Sequence, residues 1–347
     1  MLENGFHINK FVEWLVVFKA EISGAEGTKH DGLRITLRRC GEGVRMTALA
    51  PTTAGLVLHF RTVHSTKCCL ESLWKEGIDK LLLVDNSEDG GRSLGELAPE
   101  LRRLEADGMR VVVVEPSQNL GFSAGVNRGL EAIRANFGRA RVLLINSDAQ
   151  LLPGALLPLQ LAIDRGADLV SPVLDSPQGG SRTIAYYHRF TGLLSTHPWA
   201  GAFPHLSGCC LLLSESVAAT NLLDEAFFFY GEDAFLGWRV IRDGLSAQVE
   251  PSAHVLHSGS GSSRRGSRFY EYHMARAHLQ LARQLARGRA DFWWLVLGRS
   301  LTLPLRAAWR AVRQRSVVPI WGLGAAVADF ARGRIRSLTP PPSSAVN

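Results

Sequence analysis

The sequence predicts an α/β protein, with a mixed, mainly parallel sheet covered on both faces by helices and followed by a C-terminal α-helical extension. Three observations carry this. From Gly55 onward, short continuous apolar runs alternate with segments of helical periodicity, the pattern of strands buried on both faces. Polar, turn-forming residues stand at the ends of these runs. After about Arg268 only the helical period remains.

The apolar run 56–60 reads as the first strand, and a helix with Leu70, Leu73 and Trp74 on one side follows it. Residues 81–84 form the second strand, 85–91 a turn, and the next helix carries Leu94, Leu97, Leu101 and Leu104. The third strand is 111–114, followed by a helix over 122–136. The fourth strand is 142–145, with a helix opening near Pro153, since proline is tolerated in a first turn. In such sheets ligands bind at the carboxyl ends of the strands, near a switch in strand order. That rule points to Asp85, the loop 116–121 and Asn146-Ser147-Asp148. After Ser176 come a Gly/Ser-rich turn and an aromatic segment with Tyr186, Tyr187, Phe190 and Trp199. The apolar stretch 209–213, a helix over 232–243 and two short strands ending at His257 complete the core.

With 46% apolar and 20% charged residues, the 347-residue chain has the makings of a real core, which excludes a wholly disordered protein. The net charge of +7 is unevenly placed: residues 264–336 hold fifteen Arg and no Lys against Glu271, Asp291 and Asp329, or +12. Arg276, Arg283 and Arg287 share one helical face, and Arg299, Arg306, Arg310 and Arg313 another, opposite Leu297, Leu301, Leu305 and Ala308. Two readings stay open: interfacial helices on an anionic membrane surface, or helices packed against the catalytic domain or, in an oligomer, a second subunit. No nucleic-acid-binding motif accompanies the charge, so nucleic acid is not an expected partner. Cys68-Cys69 and Cys209-Cys210 lie in apolar runs and lack metal-finger spacing, as buried thiols in a reducing compartment do. No apolar tract reaches the ~20 residues that span a bilayer, and no secretory signal is evident. The expected location is cytoplasmic, or peripheral on the cytoplasmic face of the inner membrane. The expected organisation is a weakly ordered extension (1–54), a catalytic domain (55–263, divided at 150/151), a basic helical region (264–336) and a disordered tail (337–347).

Five polar clusters carry the chemistry. Asp85 and Asn86 end a buried strand, where a carboxylate can accept hydrogen bonds from a ribose or base, although Asp and Asn also form turns for local reasons. In the stretch 119–127, Gly121 and Gly125 allow close backbone approach, and a helix N-terminus favours phosphate, with Asn119 and Asn127 at its ends. The same stretch contains G-x-S-x-G, so a serine hydrolase using Ser123 is an alternative, with Asp224 or Asp233 and His257 in the right chain order. Asn146 and Asp148 present oxygen ligands at i and i+2, which suits Mg²⁺ or Mn²⁺ bridging nucleotide phosphates. Glu232 and Asp233 follow an aromatic loop at the start of a helix, where a carboxylate is favoured and can take a proton from an acceptor hydroxyl. His257 ends a strand before a Gly/Ser loop that can close over a ligand and can supply a nitrogen ligand, whereas His254 reads as structural.

Taken in order, VDNSEDG (84–90), NLGFSAGVN (119–127), LINSDA (144–149), LDEAFFFYGEDAFLGWR (223–239) and HVLHSGSGSS (254–263) resemble family 2 glycosyltransferases, especially their bacterial rhamnosyltransferase-like branch. The resemblance covers roughly 55–263. It implies a GT-A fold, a nucleotide-binding αβα sandwich joined to an acceptor-binding half, and inversion at the anomeric carbon by single displacement. It further implies a nucleotide-diphosphate sugar donor, with rhamnose or another hexose moved to a glycan or lipid-linked acceptor in cell-surface polysaccharide synthesis. Under it Asp85 contacts the nucleoside, and Asn86, Asn119, Gly121, Asn127 and Asn146 join it in binding the donor nucleotide. Asn146 and Asp148 take the D-x-D positions, with Asp148 the metal ligand; Asp233 is the general base beside Glu232, and His257 stands near metal and diphosphate. Two departures matter: Asn146 replaces the first D-x-D carboxylate, and Phe235 stands where many relatives carry a second acidic residue. Beside the hydrolase, a non-catalytic, membrane-associated protein on a degenerate transferase fold is the other alternative.

Overall fold

The computed structural model describes residues 52–258, 266–336 and 338. The expectations for residues 1–51, for the closing part of the Gly/Ser loop and for nearly all of the tail lie outside the described residues. Strand β1 (Thr53–His59) begins inside the segment read as an N-terminal extension. Helix α1 (Val63–Lys75), β2 (Lys80–Asp85), α2 (Arg92–Ala106), β3 (Arg110–Val114), α3 (Gly121–Phe137) and β4 (Arg141–Asn146) follow. The four strands run parallel in the order β3-β2-β1-β4. Alternate residues explain the unbroken apolar runs. Leu81 and Leu83 meet Leu70, Leu73, Leu97 and Leu101 of α1 and α2, while Leu82 and Val84 meet Val126, Leu130 and Ile133 of α3.

Strand β5 (Ala149–Leu151), helix α4 (Leu156–Asp164), β6 (Leu169–Asp175) and β7 (Ser181–Arg182) come next. Helix α4 starts three residues after Pro153. The Glu76 carboxylate accepts from the backbone N–H groups of Gly154 (2.7 Å) and Leu156 (2.9 Å), which fixes the helix start beyond the proline. The aromatic segment forms a separate antiparallel sheet of β8 (Ile184–His188), β9 (Leu194–Ser195) and β10 (Ala202–Leu206), in the order β10-β8-β9. Strand β11 (Cys210–Leu213) then enters the main sheet antiparallel between β4 and β6, followed by α5 (Glu215–Ala218) and α6 (Glu232–Asp243). The two short strands expected before His257 are one, β12 (Ala247–His257), interrupted by an irregularity between Glu250 and His254. It runs parallel to β6 and antiparallel to β5, so the sheet is mixed, its longer ladders parallel.

Three helices close the described chain: α7 (Arg268–Gln284), α8 (Arg289–Gln314) and α9 (Val318–Ala331). Ser267 caps α7 by accepting from the Tyr270 N–H. Leu281, Ala282 and Leu285 join Tyr187, Phe203, Phe227 and Phe235 in a third apolar cluster, which ties α7 to the small sheet and to α6. The arginine face of α8 turns inward at Arg299, Arg306 and Arg310, while Arg313, expected on the same face, is exposed. Arg299, 1% exposed, donates to the carbonyls of His278 (2.8 Å), Arg189 and Phe190 (both 3.1 Å), and Arg310 pairs with Glu271. The packed reading of these arginines therefore holds for α8. Among the described residues no helix is long and apolar enough to cross a membrane.

Candidate active site

The strand order reverses at β1, and the carboxyl ends of β1, β2 and β4 open there into one pocket. Its polar lining includes His59, Asn86, Asn119 and Asn146-Ser147-Asp148, and its aromatic wall is Phe228, Phe229 and Phe269. The β4–β5 turn places Asp148 one residue before Ala149, which lies in register with His257 on antiparallel β12. That pairing brings His257 Nε2 to 3.4 Å from Asp148 Oδ1, although the two are over a hundred residues apart. The turn is held by Asn146 N–H donating to Cys209 O (2.8 Å) and Ser258 N–H to Asp148 O (3.2 Å). Behind it Cys69 donates to Asn146 O, and burial pushes its thiol pKa well up. Cys69, Cys209 and Cys210 are buried, unbridged thiols as expected, whereas Cys68 is only half-buried.

Asn86 is the tie between the second strand end and the 119–121 loop. Its Nδ2 donates to Gly121 O (2.9 Å) and its Oδ1 accepts from Leu120 N–H (3.4 Å), while Asn119 Oδ1 accepts from Gly121 N–H (2.8 Å). Gly121 is required twice over. Its φ of +75° is left-handed, and a Cβ there would lie 2.4 Å from Phe228 O, the carbonyl that accepts from Phe122 N–H. Its close approach is thus to the aromatic loop.

That loop ends in two consecutive left-handed residues, Tyr230 (φ 67°) and Gly231 (φ 87°), which turn the chain abruptly into α6. A bulky residue in this region is strained, and such strain is held only where packing over-determines it. The turn sets Glu232 and Asp233 at the first turn of α6. Gly208 lies between Asp233 and the pocket: a Cβ on it would touch the pocket residue Phe122 at 3.5 Å and Asp233 Cβ at 4.0 Å. The two carboxyls differ sharply. Burial and the neighbouring Asp233 charge push the Glu232 pKa up to about 8, and its Oε2 is buried without a partner. Asp233 Oδ2 instead lies 3.7 Å from Nδ1 of buried His205 on β10.

The model of the family described as glycosyl transferase family 2 matches residues 64–221. Residues 64–221, a little under half of the chain, are thus similar to that family. The N-acetylglucosaminyl-diphospho-decaprenol L-rhamnosyltransferase of Mycobacterium tuberculosis, from two strains, is 28% identical over 64% of this chain and 79% of its own length. The crystal structure of S. aureus TarS 1-349 superposes with a TM-score of 0.48 at 12% identity, over 82% of this chain and 93% of that chain. Its complex with UDP gives 0.44 at 13%, over 84% and 95%.

Of the residues singled out in the sequence, the fold gathers Asn86, Asn119, Gly121, Asn146 and Asp148 on the pocket lining, with His257 against Asp148. Asp85 lies just behind, buried, its Oδ1 accepting from Ser87 N–H (3.0 Å). Asn127 is not brought to the pocket. It is buried on α3, and its amide joins that helix to the Leu223 backbone and to Glu225 Oε1. A nucleotide contact by Asn127 is therefore replaced by a structural tether. The hydrolase alternative fails on geometry as well. Ser123 is fully buried in the first turn of α3 with Oγ unpartnered, whereas a nucleophile elbow exposes its serine. His254 is structural, its Nδ1 2.8 Å from Asp175 Oδ2.

Three site residues escaped the sequence reading. His59 lines the pocket from the end of β1, with Nδ1 2.8 Å from Thr66 Oγ1 and Nε2 unpartnered; burial holds its pKa below the usual histidine range, against the pull of Asp85 and Asp89. A lone histidine closing an apolar strand was the only signal for it. His205 lies in the aromatic segment, whose pairing had no readable period. Phe269 is on α7, beyond the 55–263 span read as catalytic, so the helical region contributes a wall of the pocket.

Proposed function

We propose that the protein is an inverting glycosyltransferase that moves a hexose, rhamnose being the first candidate, from a nucleoside-diphosphate donor to a hydroxyl of a glycan or lipid-linked acceptor. The observation that carries this reading is the meeting of His257 with the pocket residue Asp148 at the strand switch, with Asp233 one layer away behind Phe122 and Gly208. The activity in the printed name of the Mycobacterium tuberculosis relative supports the choice of sugar and of a lipid-linked acceptor.

Asn86, Asn119 and Gly121 form the nucleotide end of the pocket, with buried Asp85 just behind them. Among the described residues no cage of three or more His, Cys, Asp or Glu side chains exists. One carboxylate facing one imidazole, with Asn146 beside them, nonetheless fits a divalent cation that completes its shell from phosphate and water. Asp148 and His257 would hold Mg²⁺ or Mn²⁺, whose charge, when bound, offsets that of the departing diphosphate. Asp233 takes the proton of the acceptor hydroxyl as its oxygen bonds to the anomeric carbon from the face opposite the diphosphate. Glu232, its pKa raised to about 8, is a neutral acid near pH 7 and does not serve as the base.

Heat stabilisation of the purified chain by a panel of nucleotide sugars, with and without Mn²⁺, tests this. One nucleoside diphosphate series raises the melting temperature, more strongly with the metal. No response to any member overturns the reading.

A further inference from the structure

Helix α8 wears its polarity inside out. Stepping about 100° per residue, its arginines 299, 306 and 310 fall on one side and are turned into the protein. Arg299 is held by backbone carbonyls, Arg306 Nη1 lies 2.7 Å from His278 Nε2, and Arg310 pairs with Glu271. The opposite side faces outward. Trp293, Trp294, Leu297, Leu301, Leu305, Trp309 and Val312 are between 48% and 80% exposed. At about 1.5 Å per residue this row is roughly 28 Å long, and Ser300 is the one polar residue exposed within it. Scattered apolar residues on a surface need no explanation, but a continuous helix face does. Because the buried arginines fix the helix's rotation, this face is held outward by the fold.

We infer that the outward face of α8 seats the protein on an anionic lipid surface. The Leu side chains enter the boundary between headgroups and acyl chains. Trp293 and Trp294 near one end and Trp309 near the other sit at headgroup level, where indole rings concentrate. Exposed arginines flank the row, Arg287 and Arg289 before it and Arg313 and Arg315 after it, matching the charge of lipid phosphates. That charge also selects against a second copy of this chain: antiparallel pairing of two such faces sets like-charged arginines against each other, in a region carrying +12. The helix lies along the surface without crossing it, since no described helix meets the requirement for a span. The inference stands apart from the reading of the active site, because vesicle binding needs no catalysis.

The test is flotation of the full-length chain with phosphatidylcholine vesicles, with and without about a third phosphatidylglycerol. The chain floats with the anionic vesicles, and Leu301→Glu/Leu305→Glu lowers the partition coefficient at least about tenfold. Both substituted positions are exposed, so the melting temperature and its rise with nucleotide remain as in the parent. The unmodified chain gives a second readout: vesicles with brominated acyl chains quench its tryptophan fluorescence, and unbrominated vesicles of the same composition do not. Absence of flotation overturns the inference, including the case in which sedimentation finds a dimer that the double substitution splits. Flotation that survives the double substitution and shows no quenching overturns it too, since charge elsewhere would then hold the vesicle.

Discussion

The first four strands and the last three helices handle charge in opposite ways. Around β1–β4 the helices present leucines inward and charges to solvent, where Arg103 gathers Glu71, Glu100 and Asp107 in an exposed cluster. In α8 the arginines go in and the leucines and tryptophans out. The first arrangement is set by burial alone, since both faces of the sheet are apolar. The second needs acceptors: α8 can bury Arg299 because the chain around Arg189 and Phe190 offers it free carbonyls. A helix on a surface thus buries whichever face the scaffold can satisfy, and the other face becomes available for something else.

The contrast is tested most severely at the strand ends, where the chemistry should reside. Asp233→Asn removes the proton acceptor while keeping the side chain's shape, so transfer falls about a thousandfold with donor binding unchanged. Initial rates and donor titration measure the two separately; transfer retained within a few-fold would move the base elsewhere. Asp148→Ala is expected to weaken metal-dependent donor binding about a hundredfold, and chelation of the metal should bring the parent enzyme close to the same level. Calorimetric titration with and without Mn²⁺ checks this, and donor affinity indifferent to both changes would exclude Asp148 as a ligand. In the helical region the corresponding change is one of stability. Arg299→Ala strips a donor from three carbonyls of other segments and from Tyr187 Oη, and costs about 3 kcal/mol in thermal or denaturant unfolding. If stability were unchanged, the buried arginines would not be what fixes α8.

The same contrast explains what could be read in advance. The parallel half was legible because its strands are apolar on both faces, so runs such as 81–84 carry their own signature and their polar ends mark the pocket. Asp148 and His257 were legible as types at strand ends, but their meeting depends on the antiparallel pairing of β5 and β12, and β5 has only three residues. Asn127 misled because a buried asparagine tether and a ligand contact look alike without the Leu223 backbone in view. Helix α8 was read with its two faces in place, apart from Arg313, which stays exposed. Which face turned inward was fixed by carbonyls between β8 and β9, in a stretch whose short, half-exposed strands have no clear alternation.

A pH-dependent effect separates the two adjacent carboxyls. Glu232 has a folded pKa of about 8 against an ordinary 4.5, raised by burial and by Asp233. The folded state therefore holds this proton more tightly than the unfolded chain, and stability falls with pH wherever the native state binds more protons. The contribution is fully present below pH 4.5, declines between about 4.5 and 8, and is lost above that range. Glutamine keeps the neutral shape and cannot ionise. Glu232→Gln should accordingly melt close to the parent at pH 5 and gain on it up to about pH 8, the difference levelling off by pH 9, with transfer reduced by about tenfold at most. Melting curves of both proteins across that range decide it. A constant difference between them would mean that Glu232 ionises as readily in the folded protein as outside it, and Asp233 would lose its distinction as the one carboxylate of the pair.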